Sequence, residues 1–338
     1  DTWRPRFSFE EGVHGYACAE VIHDLAPEAE LHLVRVNGLT TFENGVRWAI
    51  REGIDLISIS MSFYNDSFYD GTGEMAELID ELVAADVLLV TSAGNSAQQH
   101  WVGSYLDADG DSRMDGDGQN GWWVYLSKGD AKRFYLNWDQ YQNCGKTDLD
   151  FYLVDAAGSI VGRSESEQDG TANHCQPVER LRAHAEEEGW YQLIVQHRSG
   201  PTTGLSVRVH ARSGALLAPV PEGSVADPGA IGQVFAVGAV RAAGYLSNDV
   251  EGFSSWGPNA VGLMKPDIVG PDGLSTDALG GRGFYGTSAA SPAVTGALAV
   301  LMSMEPSLSP YEAADRLQQL ALVQQPLFSQ PDPRWGAG

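Results

Sequence analysis

"GFYGTSAASPAVTGALAVLM", residues 283–302, decides the reading of this 338-residue chain. Gly286 and Thr287 lead into Ser288, and Ala289, Ala290, Ala293, Gly296, Ala297 and Ala299 follow. Side chains this small predict a helix over 287–304 that its neighbours approach to methyl-group distance. Ser288 then lies in the first turn, where backbone N–H groups have no intrahelical partner and the helix dipole favours negative charge. Both features suit an oxyanion raised by attack of the serine hydroxyl on a carbonyl. An ordinary capping hydroxyl would look the same. Pro292 is expected within the first turn, where a missing N–H costs nothing.

Two other stretches bear on that choice. "VLLVTSAGN" (87–95) reads as a buried strand running into a tight turn that delivers Asn95 just past Gly94. The Asn95 amide can donate to an oxyanion, although an asparagine after glycine is also common turn chemistry. "GVHGYACAE" (12–20) opens a helix with His14, and histidine is the usual general base near neutral pH. The other seven histidines, His23 among them, fall mid-element or in loops, where a core or solvated role suffices.

Around these stretches the chain alternates helix and strand. Helices are expected over 14–27, 41–53, 73–86, 287–304 and 309–321. Strands are expected over 30–36 and 54–62, in 87–95 ahead of its turn, and in the runs "VFAVGAV" and "KPDIVGP". That alternation predicts βαβ units and a parallel sheet. From 98 to 216 the style changes to short strands, acidic Gly-rich turns and five of the nine tryptophans, which predicts an all-β sandwich. The expected division is therefore residues 1–97 with 217–338 as one α/β domain, and 98–216 as a β-sandwich inserted into it.

Taken together, His-Gly at 14–15, Ala-Gly-Asn at 93–95 and Gly-Thr-Ser-x-x-x-Pro at 286–292 resemble the subtilisin-like serine peptidases. "KPDIVGPDG" and "LAPEAELHLVRV" resemble further stretches of that family. The resemblance implies a parallel sheet flanked by helices and a serine endopeptidase acting on protein or peptide substrates. Ser288 would be the nucleophile, His14 its base, and Asn95 with the Ser288 N–H the oxyanion hole. It also implies a substrate groove lined by Ser60, Met61 and Ser62 on one side and by Ser92, Ala93 and Gly94 on the other. Ser62 stands where the family usually has glycine, and Tyr16-Ala17 stands where the family commonly has Thr-His. The family's third catalytic group, an aspartate ending a strand about 30 residues before the histidine, has no clear counterpart. Asp1-Thr2 echoes its motif, but Trp3 replaces the glycine and no apolar strand leads in. The expectation is that a first strand precedes this sequence. The rival readings are a peptidase-fold protein that binds without cutting, for want of the acid, and an esterase using the same serine.

The middle segment resembles the pre-peptidase C-terminal domain, on "TDLDFYLVDAAGSIV" (147–161) and "GWYQLIVQ" (189–196). Its Trp122, Trp123 and Trp138 are expected in the sandwich core. In "DADGDSRMDGDG" (107–118), Asp107, Asp109, Asp111 and Asp115 take positions 1, 3, 5 and 9 of a tight turn. Alternating carboxylates around glycine suit Ca²⁺, and a solvated acidic turn has the same composition. Asp148 and Asp150 offer a second, weaker pair.

Bulk properties narrow the partners. A net charge of −24 opposes nucleic acid and anionic membrane surfaces. No apolar run of membrane-spanning length is read from the sequence. Cys144 and Cys175 flank polar sequence and can pair, which implies an oxidising, secreted, extracellular or periplasmic location. Cys18 lies in an apolar helix pattern and is expected to be buried.

Overall fold

The computed structural model describes residues 13–116, 119–212, 214–247, 250–324 and 332–336. Asp1-Thr2 and the rest of 1–12 lie outside the described residues. In chain order the elements begin with α1 (Val13–Leu25), α2 (Leu39–Glu52), β1 (Leu56–Ile59), α3 (Glu74–Ala84) and β2 (Leu88–Ser92). There follow β3 (His100–Ser104), β4 (Trp122–Leu126), β5 (Ala131–Trp138), β6 (Asp148–Val154), β7 (Ile160–Ser164), β8 (Val178–His184), β9 (Gly189–Ser199) and β10 (Ser206–Arg212). The last are β11 (Phe235–Arg241), β12 (Ile268–Asp272), β13 (Leu274–Ser275), β14 (Gly283–Phe284), α4 (Thr287–Met304) and α5 (Pro310–Gln324). Two compact units result. One comprises Asp1–Phe63, Glu74–Asn95 and Val225–Gly338, the other Tyr64–Gly73 and Ser96–Ser224.

The first unit is built on a parallel sheet of order β1-β2-β11-β12. Strand β2 is buried throughout, which is why its sequence reads as a continuous apolar run. Leu88, Val90, Val237 and Ile268 pack with Ala290, Val294 and Leu298 of α4. Leu89 and Ile59 join a second cluster with Phe42 and Val46 of α2 and Leu78 and Leu82 of α3. Each such side chain withdrawn from water contributes about 1.5–3 kcal/mol. The small residues of α4 have a definite use. A Cβ on Gly296 would stand 2.9 Å from Leu25 Cβ, so α1 packs directly on α4's backbone there. At 18 residues and a mean hydropathy of 1.3, α4 has the length and composition to cross a membrane, contrary to the sequence expectation. The cause is its role as a core helix, with 56% of it buried within the protein.

The Lys-Pro-Asp run works at the foot of β12. Lys265 is buried, and its Nζ donates to the Val234 carbonyl at 2.6 Å and to Asp267 Oδ2 at 2.7 Å. The same Asp267 oxygen accepts the Ala236 N–H. Burial pushes the Asp267 carboxyl up, and the Lys265 ammonium opposes that shift. One ion pair thus ties the start of β11 to β12.

The strand expected over 30–36 does not form. A strand needs a neighbour's ladder, and an open cavity of about 1760 Å³ lies between this segment and β1. Val13, His14, Leu33, Val34, Ile57 and Ile59 are among the residues lining it. Leu31, Leu33 and Val34 consequently remain 38%, 57% and 49% exposed, high for residues of an apolar alternating run. On the same side, β1 is an outer strand of the sheet among the described residues.

The second unit holds two four-stranded antiparallel sheets of order β3-β10-β5-β8 and β4-β9-β6-β7. Phe134, Trp138 and Val207 from one and Trp122, Phe151 and Leu193 from the other share one core. Trp123 is only half-buried. Cys144 and Cys175 form a disulfide, and Cys18 is free.

Candidate active site

Ser288 is the second residue of α4, and Gly286 is its N-cap. Pro292 falls inside the helix, not in its first turn as expected. Lacking an N–H, Pro292 cannot bond the carbonyl four residues back, which is that of Ser288. The freed carbonyl accepts instead from the Ser60 hydroxyl at 3.2 Å and the Cys18 thiol at 3.5 Å. A proline in a helix thereby becomes a junction where α4, the end of β1 and α1 meet. Burial pushes the Cys18 thiol up to about 11, so it remains a neutral donor.

Cys18 lies one turn beyond His14 on α1, and residues four apart share a helix face. The first turns of α1 and α4 are therefore neighbours. The His14 ring meets the Phe284 ring edge-on at 5.6 Å between centroids. Water reaches the imidazole, yet protein surrounds it, and this desolvation lowers its pKa below the usual histidine value. Among the described residues no carboxylate bonds His14, and no hydrogen bond joins it to Ser288 Oγ.

Asn95 follows β2 at an exposed position. Its Oδ1 accepts the Thr287 N–H at 3.0 Å and the Thr287 hydroxyl at 2.9 Å. Thr287 Oγ1 in turn accepts the Gly94 N–H at 3.2 Å. With Oδ1 doubly engaged, the amide plane is fixed and Nδ2 remains as the outward donor. Ser288, one residue past Thr287, has its own N–H in the unpaired first turn. Two donors thus stand at the N-terminus of one helix, the arrangement that stabilises an oxyanion. Thr287 was missed as the clamp, although "GTS" contains it. Only the register between α4 and β2 reveals its partner.

Of the residues assigned to a groove, Ser60, Met61 and Ser62 are half-buried past β1, whereas Ser92, Ala93 and Gly94 are buried. In the second unit, carboxylate oxygens of Asp107, Asp109 and Asp111 lie within 4.8 Å of one another. Asp115 is outside that trio, and its Oδ2 accepts the Ala108 N–H at 2.8 Å. Burial, together with the charges of Asp107, Asp111 and Asp115, pushes the Tyr105 hydroxyl up to about 12.

The sequence profile of the Subtilase family matches residues 11–124 and 155–336, and this chain belongs to that family. The serine protease AprX of Bacillus subtilis (strain 168) is 31% identical over 115 residues, covering 28% of this chain and 26% of that protein. The chain thus spans about a quarter of the length of that curated relative. The CspB protease of Clostridium perfringens superposes with a TM-score of 0.62 at 17% identity, over 92% of this chain and 71% of that one. At that identity the likeness is one of fold.

Proposed function

We propose that this chain is a serine endopeptidase that cleaves peptide bonds through an acyl-enzyme on Ser288. The Ser288 hydroxyl oxygen attacks the carbonyl carbon as its proton passes to His14. The carbonyl oxygen becomes an anion held by Asn95 Nδ2 and the Ser288 N–H. Collapse expels the amine, which takes the proton from His14. Water then attacks the ester with His14 again as base, releasing the acid and restoring the serine. The observation that most supports this reading is the double engagement of Asn95 Oδ1 by Thr287, which leaves Nδ2 as the donor. Ser288 should be the serine labelled by a phosphonofluoridate, with Ser288→Ala abolishing both labelling and turnover of casein and a small ester. Mass spectrometry finding the label elsewhere would sink the reading.

The orienting acid for His14 is expected from an extended segment lying in the cavity beside β1, its carboxylate facing the imidazole. That no carboxylate among the described residues bonds His14 favours a second reading, a peptidase-fold binding protein that does not cut. Substrate turnover separates the two.

The all-β unit fits an inserted sandwich domain, and its Cys144–Cys175 disulfide supports a secreted or periplasmic setting. Asp107, Asp109 and Asp111 present hard oxygen donors suited to Ca²⁺. Chelator should lower the melting temperature, and Asp109→Ala with Asp111→Ala should remove that response. Identical melts with and without chelator would leave a solvated acidic turn.

A further inference from the structure

The carboxyl group of Asp272 has no part in these proton transfers. Asp272 ends β12, is fully buried, and accepts the Gly286 N–H on Oδ2 at 2.8 Å. Its Oδ1 is also buried and has no hydrogen-bond partner among the described residues. A carboxyl group confined this way costs stability, and its one bond to the Gly286 N–H offsets only part of that cost. Burial pushes its pKa up; the bond from the Gly286 N–H is the main opposing influence, ahead of Glu251, which adds to the shift, and Arg241, which opposes it.

The group it holds is the hinge of the site. Gly286 has φ +102°, a conformation that favours glycine. A Cβ there would stand 3.0 Å from Asn95 Nδ2, and no side chain caps α4 at this residue. Asp272 therefore grips the turn from behind at Gly286, while Asn95 grips it in front at Thr287. Ser288 is the next residue.

We infer that Asp272 is a positioning residue for the reaction: through the Gly286 N–H it fixes the 286–288 turn and so the placement of Ser288 Oγ and the Ser288 N–H. The inference rests on Ser288 being the nucleophile. What the turn requires is an acceptor, not a charge, because an anion behind an oxyanion hole would oppose the charge forming in front of it. Asparagine supplies the acceptor without the charge, and alanine supplies neither.

The test compares Asp272→Asn and Asp272→Ala with the unaltered chain in ester turnover and in the rate of Ser288 labelling. Misplacing a reacting group by about an ångström costs on the order of 10²-fold. The alanine variant should accordingly lose at least about tenfold in kcat and labelling rate, with KM within about twofold and the asparagine variant within about threefold of the parent. An alanine variant equal to the parent, an asparagine variant as impaired as alanine, or a loss confined to KM would overturn the inference. Should Asp272→Ala fail to fold, hydrogen exchange at the Gly286 amide decides in the parent and the asparagine variant. Protection in both is expected, and free-peptide exchange in the folded parent refutes the inference. If Ser288 takes no label even in the parent, that result counts against the proposed function, while Gly286 exchange still reports on Asp272.

Discussion

Asn95 shows how a side chain with two faces acquires one role. An isolated amide offers a donor and an acceptor with equal readiness. Thr287 occupies the acceptor twice, so only the donor faces outward. Asn95→Ala should lower kcat by about 10² to 10³ with little change in KM, because the donor acts on charge present only in the transition state. Steady-state kinetics on a chromogenic ester checks this. An effect confined to KM would mean that Asn95 binds substrate instead. Asn95, His14 and Ser288 could be singled out from the sequence because each sits in a short motif on a strand end or helix start. Thr287 as clamp and Asp272 as anchor were not, since their partners lie 192 and 14 residues away in register. No local pattern encodes that register.

At the scale of elements, α4 supplies packing and chemistry with the same atoms. Its alanines and Gly296 admit α1, and Pro292 releases the Ser288 carbonyl to Ser60 and Cys18. The element pattern was legible in β2, which is buried throughout, and in α4, whose first turns are buried. It misled over 30–36, where alternation marks a strand but no ladder forms, because pairing is a property of two segments. Strands β7 and β8 carry a weaker apolar signal than the other strands of the second unit. β7 is five residues long, and in β8 the buried Glu179 breaks the apolar face that Leu181 and Ala183 continue. The foot of β12 yields a sharper test. Removing one partner of a buried ion pair strands the other, so Lys265→Met should destabilise the first unit by about 3–5 kcal/mol. Denaturant melts followed at that unit would show it, and a change below about 1 kcal/mol would mean that Asp267 finds water instead.

For the whole molecule, the decisive feature is the cavity beside β1. With no carboxylate bonding His14 among the described residues, desolvation keeps the imidazole neutral to lower pH, so the acid limb of kcat/KM should fall below the usual histidine value of about 6.5. A carboxylate brought alongside favours the imidazolium and moves that limb upward. A strand-forming peptide ending in Asp-Thr-Gly, supplied in excess, should therefore raise the limb and increase kcat by about 10³ to 10⁴, the worth of a triad acid. A pH profile and rate unmoved by the peptide would show that the cavity takes no such strand or that another group orients His14.

The same side of the molecule has a consequence for handling. An outer strand flanked by exposed Leu31, Leu33 and Val34 can pair with its own copy as readily as with any peptide. Loss of active material should then be second order in protein, so dilution would preserve more activity than cooling, which weakens hydrophobic association only slightly.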